Sequence, residues 1–276
     1  MTANPHQIGI GATAELSLRV SVAALVRVLF ANPSDDELML ALERKATVRQ
    51  TADGDLVRLK SQPFGGGLRI LDSDAVHDVV GGFHFDSERS RAEQDFRIFI
   101  RPSAWPSLRE FCVQHIGRDH DVILETSPTR ELVEEFAETL SIDLRPEQYL
   151  NRAMTTMVED KAATTDNIYA QGTPTVRIYR IYETFITDKL LAHAMLKRSA
   201  GLSDQDLTEL AIADTQSGGK GKANAVLTLP WRRIQDIYRA MLPASRNVPI
   251  MFDENKLDST VAAILDEIAV PRYQRV

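Results

Sequence analysis

The sequence predicts an α/β protein, because β-rich and helical segments alternate along a chain that is long enough to bury a full core. Residues 20–30 form a mostly apolar run that is typical of a buried strand. Residues 103–116 carry large apolar side chains at helical spacing. The composition, 43% apolar and 26% charged over 276 residues, is ordinary for a globular protein. The fold class is therefore predicted from the order of the β-rich and helical segments.

The first half of the chain consists mainly of predicted strands. Residues 37–44 form a second β-rich segment after the turn-prone residues 32–36, and residues 55–60 form a third. Residues 94–100 alternate polar and apolar side chains, as a half-buried strand does. We expect residues 1–12 to be loosely held.

Helices and strands alternate more closely in the second half. Strands are predicted at residues 149–158, 173–182 and 225–229, and helices at residues 127–140, 188–200, 230–241 and 255–270. A polar loop is predicted at residues 159–172 and a flexible basic loop at residues 214–222. We expect the last helix to dock on the core or on a partner.

The helix predicted from residue 127 places several carboxylates on one side. Ser127 is a suitable N-cap, and Pro128 fits the first helical position, where its missing N–H costs nothing. At about 100° per residue, one arc roughly 100° wide contains Glu131, Glu134, Glu135 and Glu138. The apolar residues point the other way, toward a core: Leu132, Val133, Phe136 and Leu140.

This acidic face has two explanations. A chain with 39 acidic and 32 basic residues is expected to have solvated acidic faces, and the helix dipole favours glutamate near a helix start. Alternatively, the face binds Mg²⁺ or Mn²⁺. Like charges three or four residues apart destabilise a helix by roughly 0.2–0.5 kcal/mol per pair, and a hard cation bound through carboxylate oxygens would compensate for that repulsion. The residues alone leave both explanations open.

Residues 130–135, R-E-L-V-E-E, resemble the second half of the Nudix box, G-x5-E-x7-R-E-U-x-E-E-x-G-U, in which U is an aliphatic residue. Residues 62–68, Q-P-F-G-G-G-L, are similar to the glycine turn that opens this box, and they follow a predicted strand as in that family. The resemblance implies an α/β/α sandwich with a mixed sheet.

A large insertion would divide the box, because Gly67 and Arg130 lie far apart in the sequence. We place it at about residues 68–125, and an alternative places it after Glu88, which follows Gly82 at the spacing of the family. Its predicted strand and helix make it either a lid or specificity element, or a packing module that could form a homodimer. The chain would then comprise a loosely ordered N-terminus, a Nudix-like domain and a C-terminal helical extension, at residues 1–12, 13–245 and 246–276.

The resemblance also implies a function, that of a metal-dependent hydrolase acting on a nucleoside diphosphate linked to another moiety. Mg²⁺ or Mn²⁺ would bind to Glu131, Glu134 and Glu135, and the catalytic residues would be Glu135 and Glu134. The general base would be Glu135 or a loop residue such as Glu159, Asp160 or Asp214. The structural residues of the box would be Gly65, Gly66, Gly67 and Arg130.

Two further readings compete with the hydrolase. Ala137 replaces the second glycine of the box and Val122 replaces its first glutamate, which favours a degenerate nucleotide sensor or partner-binding protein without turnover. The other alternative is an unrelated α/β scaffold with an acidic helix. Lys220 and Lys222 would contact substrate phosphates in the first two readings, or would be solvated loop lysines.

Composition excludes several classes of function. The net charge of −7 argues against a general nucleic-acid surface, so any phosphate recognition would be local. No apolar run approaches the ~20 residues of a membrane span, and the N-terminus lacks the pattern of a signal peptide, so we expect a cytoplasmic protein. The single cysteine, Cys112, excludes an internal disulfide and a cysteine zinc cluster, and we expect it to be buried.

Overall fold

The computed structural model describes residues 18–51, 54–118, 120–160 and 172–234, together with residues 261 and 264. Its strands are β1 (Leu18–Ala31), β2 (Leu38–Thr51), β3 (Gly54–Gln62), β4 (Phe64–Gly67), β5 (Arg69–Ile70), β6 (His84–Phe85), β7 (Arg97–Ile100), β8 (Leu124–Glu125), β9 (Tyr149–Asp160), β10 (Thr175–Ile186) and β11 (Lys222–Pro230). Its helices are α1 (Ser73–Val80), α2 (Glu88–Glu93), α3 (Trp105–Ile116), α4 (Thr129–Leu140), α5 (Lys189–Gly201) and α6 (Asp204–Gln216). The predicted α/β fold class is confirmed.

Strand β1 lies at the centre of a mixed sheet. One of its edges pairs in parallel with β10, from Arg19 opposite Thr175 to Phe30 opposite Ile186. Its other edge pairs antiparallel with three strands in succession, β7, β4 and β2. Strand β2 leaves β1 after Ala41 and continues between β3 and β11. The sheet therefore has a three-stranded extension, β11-β2-β3, beyond β1.

Apolar side chains alternate between the two faces of β1, as the period of a strand requires. The even-numbered residues from Val20 to Phe30 join one core with the buried sides of α1, α3, α4 and α5. On the other face, Ala23, Leu25 and Leu29 pack with a second cluster that includes Trp231 and Ile234. Helix α6 packs on the same second face, over Ala46 of β2 and Ala225 of β11. Helices therefore cover both faces, as the sandwich prediction requires.

The segment predicted to be inserted has regular structure. The strand expected at residues 94–100 and the helix expected at residues 103–116 are confirmed as β7 and α3. Strand β7 pairs with β1, so this segment extends the main sheet, while β5 and β8 form a separate two-stranded sheet. Cys112 in α3 is fully buried, as predicted, and burial raises the pKa of its thiol. The roles proposed for the segment, a lid or a packing module, stay predictions.

Three local expectations were wrong. The glycines of residues 65–67 belong to strand β4, because they pair with β1 instead of turning. Residues 214–216 end helix α6, which the sequence reading missed, and β11 already begins at Lys222. Pro230 is the last residue of β11, and the following helix is described only from Trp231 to Ile234.

Several predictions concern residues outside the described part of the chain. These are the loosely held N-terminus at residues 1–12, most of the loop at residues 159–172, and most of the helical extension at residues 246–276. Of that extension, Val261 and Ile264 are helical and buried in the second cluster. Among the described residues, no helix has the length and apolar character needed to cross a bilayer.

Candidate functional site

Helix α4 lies close to strand β4, and the glycines of β4 allow that approach. A Cβ atom on Gly66 would overlap the carboxylate of Glu131, which comes from the first turn of α4. Gly65 has a φ of +121°, a conformation that other residues rarely adopt, and a Cβ there would overlap the carbonyl of Ala24 in β1. The structure thus brings the predicted glycines and the predicted acidic helix together.

The apolar side of α4 fixes its orientation. Leu132, Phe136 and Leu140 are fully buried, and the ring of Phe136 lies 5.0 Å from that of Phe64 in β4. The helix begins at Thr129, one residue later than predicted. Because side chains three and four residues apart share one face of a helix, this packing turns Glu131 and Glu135 toward the glycine strand.

The half-buried Glu135 lies near a fully buried carboxylate, that of Glu43, beside β4. The backbone N–H of Gly65 donates a hydrogen bond of 2.5 Å to Oε2 of Glu135. Burial raises the pKa of Glu135 well above its ordinary value, and the charge of Glu43 raises it further, while the Gly65 N–H and Lys45 oppose the shift. Glu43 comes from β2 and is only 1% exposed. Two acids thus repel each other at the end of the glycine strand.

Glu43 is held in place by polar neighbours from three elements. Its carboxylate accepts hydrogen bonds from Gln62 Nε2 at 2.7 Å and from Thr139 Oγ1 at 3.4 Å, and it lies 2.9 Å from Lys45 Nζ. The sequence reading missed this residue. The feature that could have identified it is a glutamate directly after the apolar residues 38–42, within a predicted strand.

Arg130 connects the remaining acids of the site. Its guanidinium contacts Glu125 at 2.8 Å, Glu131 at 2.6 Å and Glu134 at 3.3 Å, and it donates to the carbonyl of Gly67 at 3.4 Å. Burial alone would lower the pKa of Arg130, but these carboxylates raise it. Arg130 therefore joins α4 to the glycine strand and neutralises much of the charge of Glu131 and Glu134.

The segment predicted to be inserted contributes one more buried acid, Asp95. A Cβ on Gly67 would lie 3.1 Å from the carboxyl carbon of Asp95, which precedes β7 and forms an ion pair of 3.0 Å with Arg97. Burial raises the pKa of Asp95, although Arg97 lowers it. Burial also raises the pKa of Glu131, and the charge of Asp95 adds to that effect. The sequence reading did not place Asp95 at the site.

The carboxylate oxygens of the site are suitable ligands for a hard cation, but some of them already have a cationic partner. Carboxylate oxygens are the ligands that Mg²⁺ and Mn²⁺ prefer, and a cation beside Glu135 would relieve its repulsion with Glu43. Against this, Arg130 already pairs with two of the three predicted ligands, and the 57% exposed side chain of Glu134 points away from the most buried part of the site. Within the described residues, no three His, Cys, Asp or Glu side chains are arranged as a metal site.

Two further predicted residues, Lys222 and Asp214, lie where α6 is followed by β11. Lys222 begins β11, and burial, followed by the charges of Lys45, Arg89 and Lys220, lowers its pKa. Asp214 lies in the last turn of α6, and its carboxylate accepts a hydrogen bond of 3.1 Å from the backbone N–H of Lys222. This contact joins the end of α6 to the start of β11, and the loop between them comprises residues 217–221, shorter than the predicted residues 214–222.

The two remaining candidates for the general base give no further information. Glu159 and Asp160 lie at the end of β9, where they pair with Ile178 and Arg177 of β10. Their side chains are outside the described part of the structure. Of the two candidate bases whose surroundings the structure defines, Glu135 and Asp214, Glu135 is the one that contacts the glycine strand.

A comparison with protein families gives one match. The model of the SMODS-associated NUDIX domain matches residues 17–225 of the 276-residue chain, a range that includes β4, α4 and the segment between them. No curated protein and no solved structure matches the chain. The family match excludes the reading as an unrelated α/β scaffold.

Proposed function

The chain belongs to the family of SMODS-associated Nudix domains, and from this premise we propose that it hydrolyses a nucleoside diphosphate linked to another moiety, with Mg²⁺ or Mn²⁺ as cofactor. The observation that carries the proposal is the pair of like charges at the end of the glycine strand, the buried Glu43 and the half-buried Glu135. Like charges that are buried together are unfavourable unless a cation or a proton compensates, and such pairs are frequent in active sites.

Each acid of α4 has a role in this proposal. Glu131, Glu134 and Glu135 would hold the divalent ion, which when bound neutralises the diphosphate and lowers the pKa of the attacking water. Glu135 would accept the proton that this water releases, because its raised pKa gives it a higher proton affinity than an ordinary glutamate. Arg130 would hold α4 against Gly67 and keep Glu131 in position.

A second candidate function is a nucleotide sensor that binds the same class of ligand without turnover. Arg130 favours it, because the ion pairs of Arg130 with Glu131 and Glu134 take up charge that a metal ion would otherwise neutralise. The substitutions at Ala137 and Val122 in the box point in the same direction. Binding and turnover are separable on one fold, so the two candidates need a direct test.

The test is an activity panel. The protein is incubated with Mg²⁺ or Mn²⁺ and with ADP-ribose, NAD, dinucleoside polyphosphates or nucleoside triphosphates, and the released nucleotide is measured by chromatography. The variants are Glu134→Gln and Glu135→Gln. The control is Glu209→Gln, an exposed glutamate of α6, which packs on the other face of the sheet.

The outcomes separate the two candidates. The hydrolase predicts metal-dependent release in the wild type and in Glu209→Gln, and a loss of about 10²-fold or more in Glu135→Gln, as for other groups that act in proton transfer. The sensor predicts an increase in melting temperature with one ligand of the panel, and no release. Release that persists in Glu135→Gln and Glu134→Gln would contradict the proposed site.

A further inference from the structure

The three-stranded extension β11-β2-β3 has a basic side. In these antiparallel strands, directly opposed residues share a face of the sheet. One row across the strands consists of Lys222, Thr47 and Arg58, and the next consists of Asn224, Lys45 and Lys60. We call Lys45, Arg58, Lys60 and Lys222 the basic sheet face.

This side of the extension is open, whereas the other side is covered. The intervening residues of the same strands, such as Ala46 and Ala225, pack under α6 with Leu207 and Ala211. On the basic side, Arg58 and Lys222 are exposed and Lys45 and Lys60 are half-buried. The rows that contain these four cations are therefore accessible to a ligand, beside helix α4, which covers the next row at Glu43.

The basic sheet face continues directly into the acidic centre. The third row across the same strands consists of Val226, Glu43 and Gln62, and Glu43 is the buried partner of Glu135. Successive rows on one face are two residues apart, or roughly 7 Å along the strand. A ligand that reaches Glu135 with one group can thus place a neighbouring group over Lys45 and Lys60.

The cations of this face lie close enough together to repel one another. Lys45 and Lys60 are directly opposite each other, and like charges in that position destabilise a strand pair. Acids compensate part of this charge: Lys45 lies 2.9 Å from Glu43 and also near Glu135, and Lys222 lies near Glu138. Lys222 is close enough to Lys45, Lys220 and Arg89 for their charges to lower its pKa, after the larger effect of burial. Anionic groups bound over these rows would remove this repulsion.

We infer that the basic sheet face binds phosphate groups of the nucleotide ligand that lie beyond the diphosphate held at Glu135. This inference rests on the proposed function, and it narrows the ligand to nucleotides that carry more than two phosphates. It also assigns Lys45, Arg58 and Lys60 to the ligand site together with Lys222. Charge complementarity selects phosphate over neutral groups, because each lysine is a compact point charge with three donors.

The test measures binding of inorganic tripolyphosphate by isothermal titration calorimetry, in EDTA so that no divalent ion contributes. The variant is the double substitution Lys60→Gln with Lys222→Gln, and each single substitution is measured as well. The matched control is Lys189→Gln. Lys189 is exposed at the start of α5, shortly after the end of β10, and it does not belong to the strands of the extension.

The expected result is at least tenfold weaker binding by the double variant, an intermediate loss in each single variant, and wild-type affinity in Lys189→Gln. Equal affinity of the wild type and the double variant would overturn the inference. Should the double variant fail to fold, as judged by its thermal unfolding, the two single variants decide: a loss in both supports the inference and a loss in neither overturns it.

The same assay distinguishes failure of the inference from failure of the proposed function. Glu135→Gln should retain or strengthen tripolyphosphate binding, because it removes a nearby negative charge, while it abolishes turnover. Protein that binds tripolyphosphate through Lys60 and Lys222 but releases no nucleotide supports the basic sheet face and refutes the hydrolase. Turnover of triphosphates that is unchanged in the double variant, together with unchanged binding, refutes the basic sheet face and leaves the hydrolase standing.

Discussion

In the described part of the molecule, a buried pair of opposite charges can be compared with a pair of like charges. Arg19 in β1 and Asp86, which follows β6, form an ion pair of 2.6 Å with side-chain exposures of 4% and 1%. Asp86 also accepts a hydrogen bond of 2.6 Å from Ser90 Oγ. Glu43 and Glu135, by contrast, are both acidic, and the pKa of Glu135 is raised by burial and by Glu43.

The difference shows which buried charges indicate function. A buried acid that has a basic partner and a hydroxyl donor fixes the packing of its segment, as Asp86 does where the segment meets β1. A buried acid beside another acid weakens the fold, and a protein keeps it where a ligand or a proton is part of its function. Substitution should therefore have opposite effects on stability at the two pairs.

The largest effect is expected for Asp86→Ala. The substitution leaves the guanidinium of Arg19 buried and unpaired, which typically lowers the free energy of unfolding by about 3–5 kcal/mol. The measurement is unfolding in urea followed by circular dichroism. Glu88→Ala is the control, because its side chain is 84% exposed and its ion pair with Arg91 is on the surface. A change under about 0.5 kcal/mol, as for ordinary surface sites, would mean that Arg19 finds another partner.

An intermediate effect is expected for Gly66→Ala. The new methyl group would overlap the carboxylate of Glu131, so α4 or that side chain must move. Overpacking of this kind lowers the free energy of unfolding by about 1–3 kcal/mol. Gly201→Ala is the matched control, since no atom lies within 4 Å of its Cβ position at the end of α5. There the same change should raise stability by roughly 0.4–1 kcal/mol.

The smallest effect on stability is expected for Glu135→Gln. The amide oxygen of glutamine can still accept the hydrogen bond from Gly65, while the repulsion with Glu43 is lost. The free energy of unfolding, measured without divalent ions, should be unchanged or higher by up to about 1 kcal/mol, the usual limit for a partly exposed charge interaction. A clear loss of stability would show that Glu135 acts as a structural acid, like Asp86.

The local elements of this fold were predictable from periodicity. The apolar run at residues 20–30 lies in β1. The alternation of polar and apolar residues at 94–100 includes β7, and the helical spacing at 103–116 includes α3. Helix α6 was missed because it buries only Leu207 and Ala211, a weak apolar stripe in a polar segment. Strand β4 was read as a turn because glycine is disfavoured in strands, and only its pairing with β1 explains it.

The residues of the site that belong to a short sequence motif were predictable, and those brought in by distant parts of the chain were not. The acids of α4 and the glycines of β4 were found from motif resemblance, and the structure places them in contact through Gly66 and Glu131. Glu43 and Asp95 were missed because their burial depends on contacts with residues far away in the sequence. The basic sheet face was equally hidden, since the register of β11, β2 and β3 decides which lysines are neighbours.

The most direct test of the central claim is the binding of Mn²⁺, measured by electron paramagnetic resonance as the loss of the free-ion signal during a titration. If Glu135 is a ligand at the glycine strand, Glu135→Gln should bind Mn²⁺ at least tenfold more weakly than the wild type, and Glu209→Gln should bind it equally well. Equal affinity of Glu135→Gln and the wild type, or no Mn²⁺ binding by either, would contradict the account.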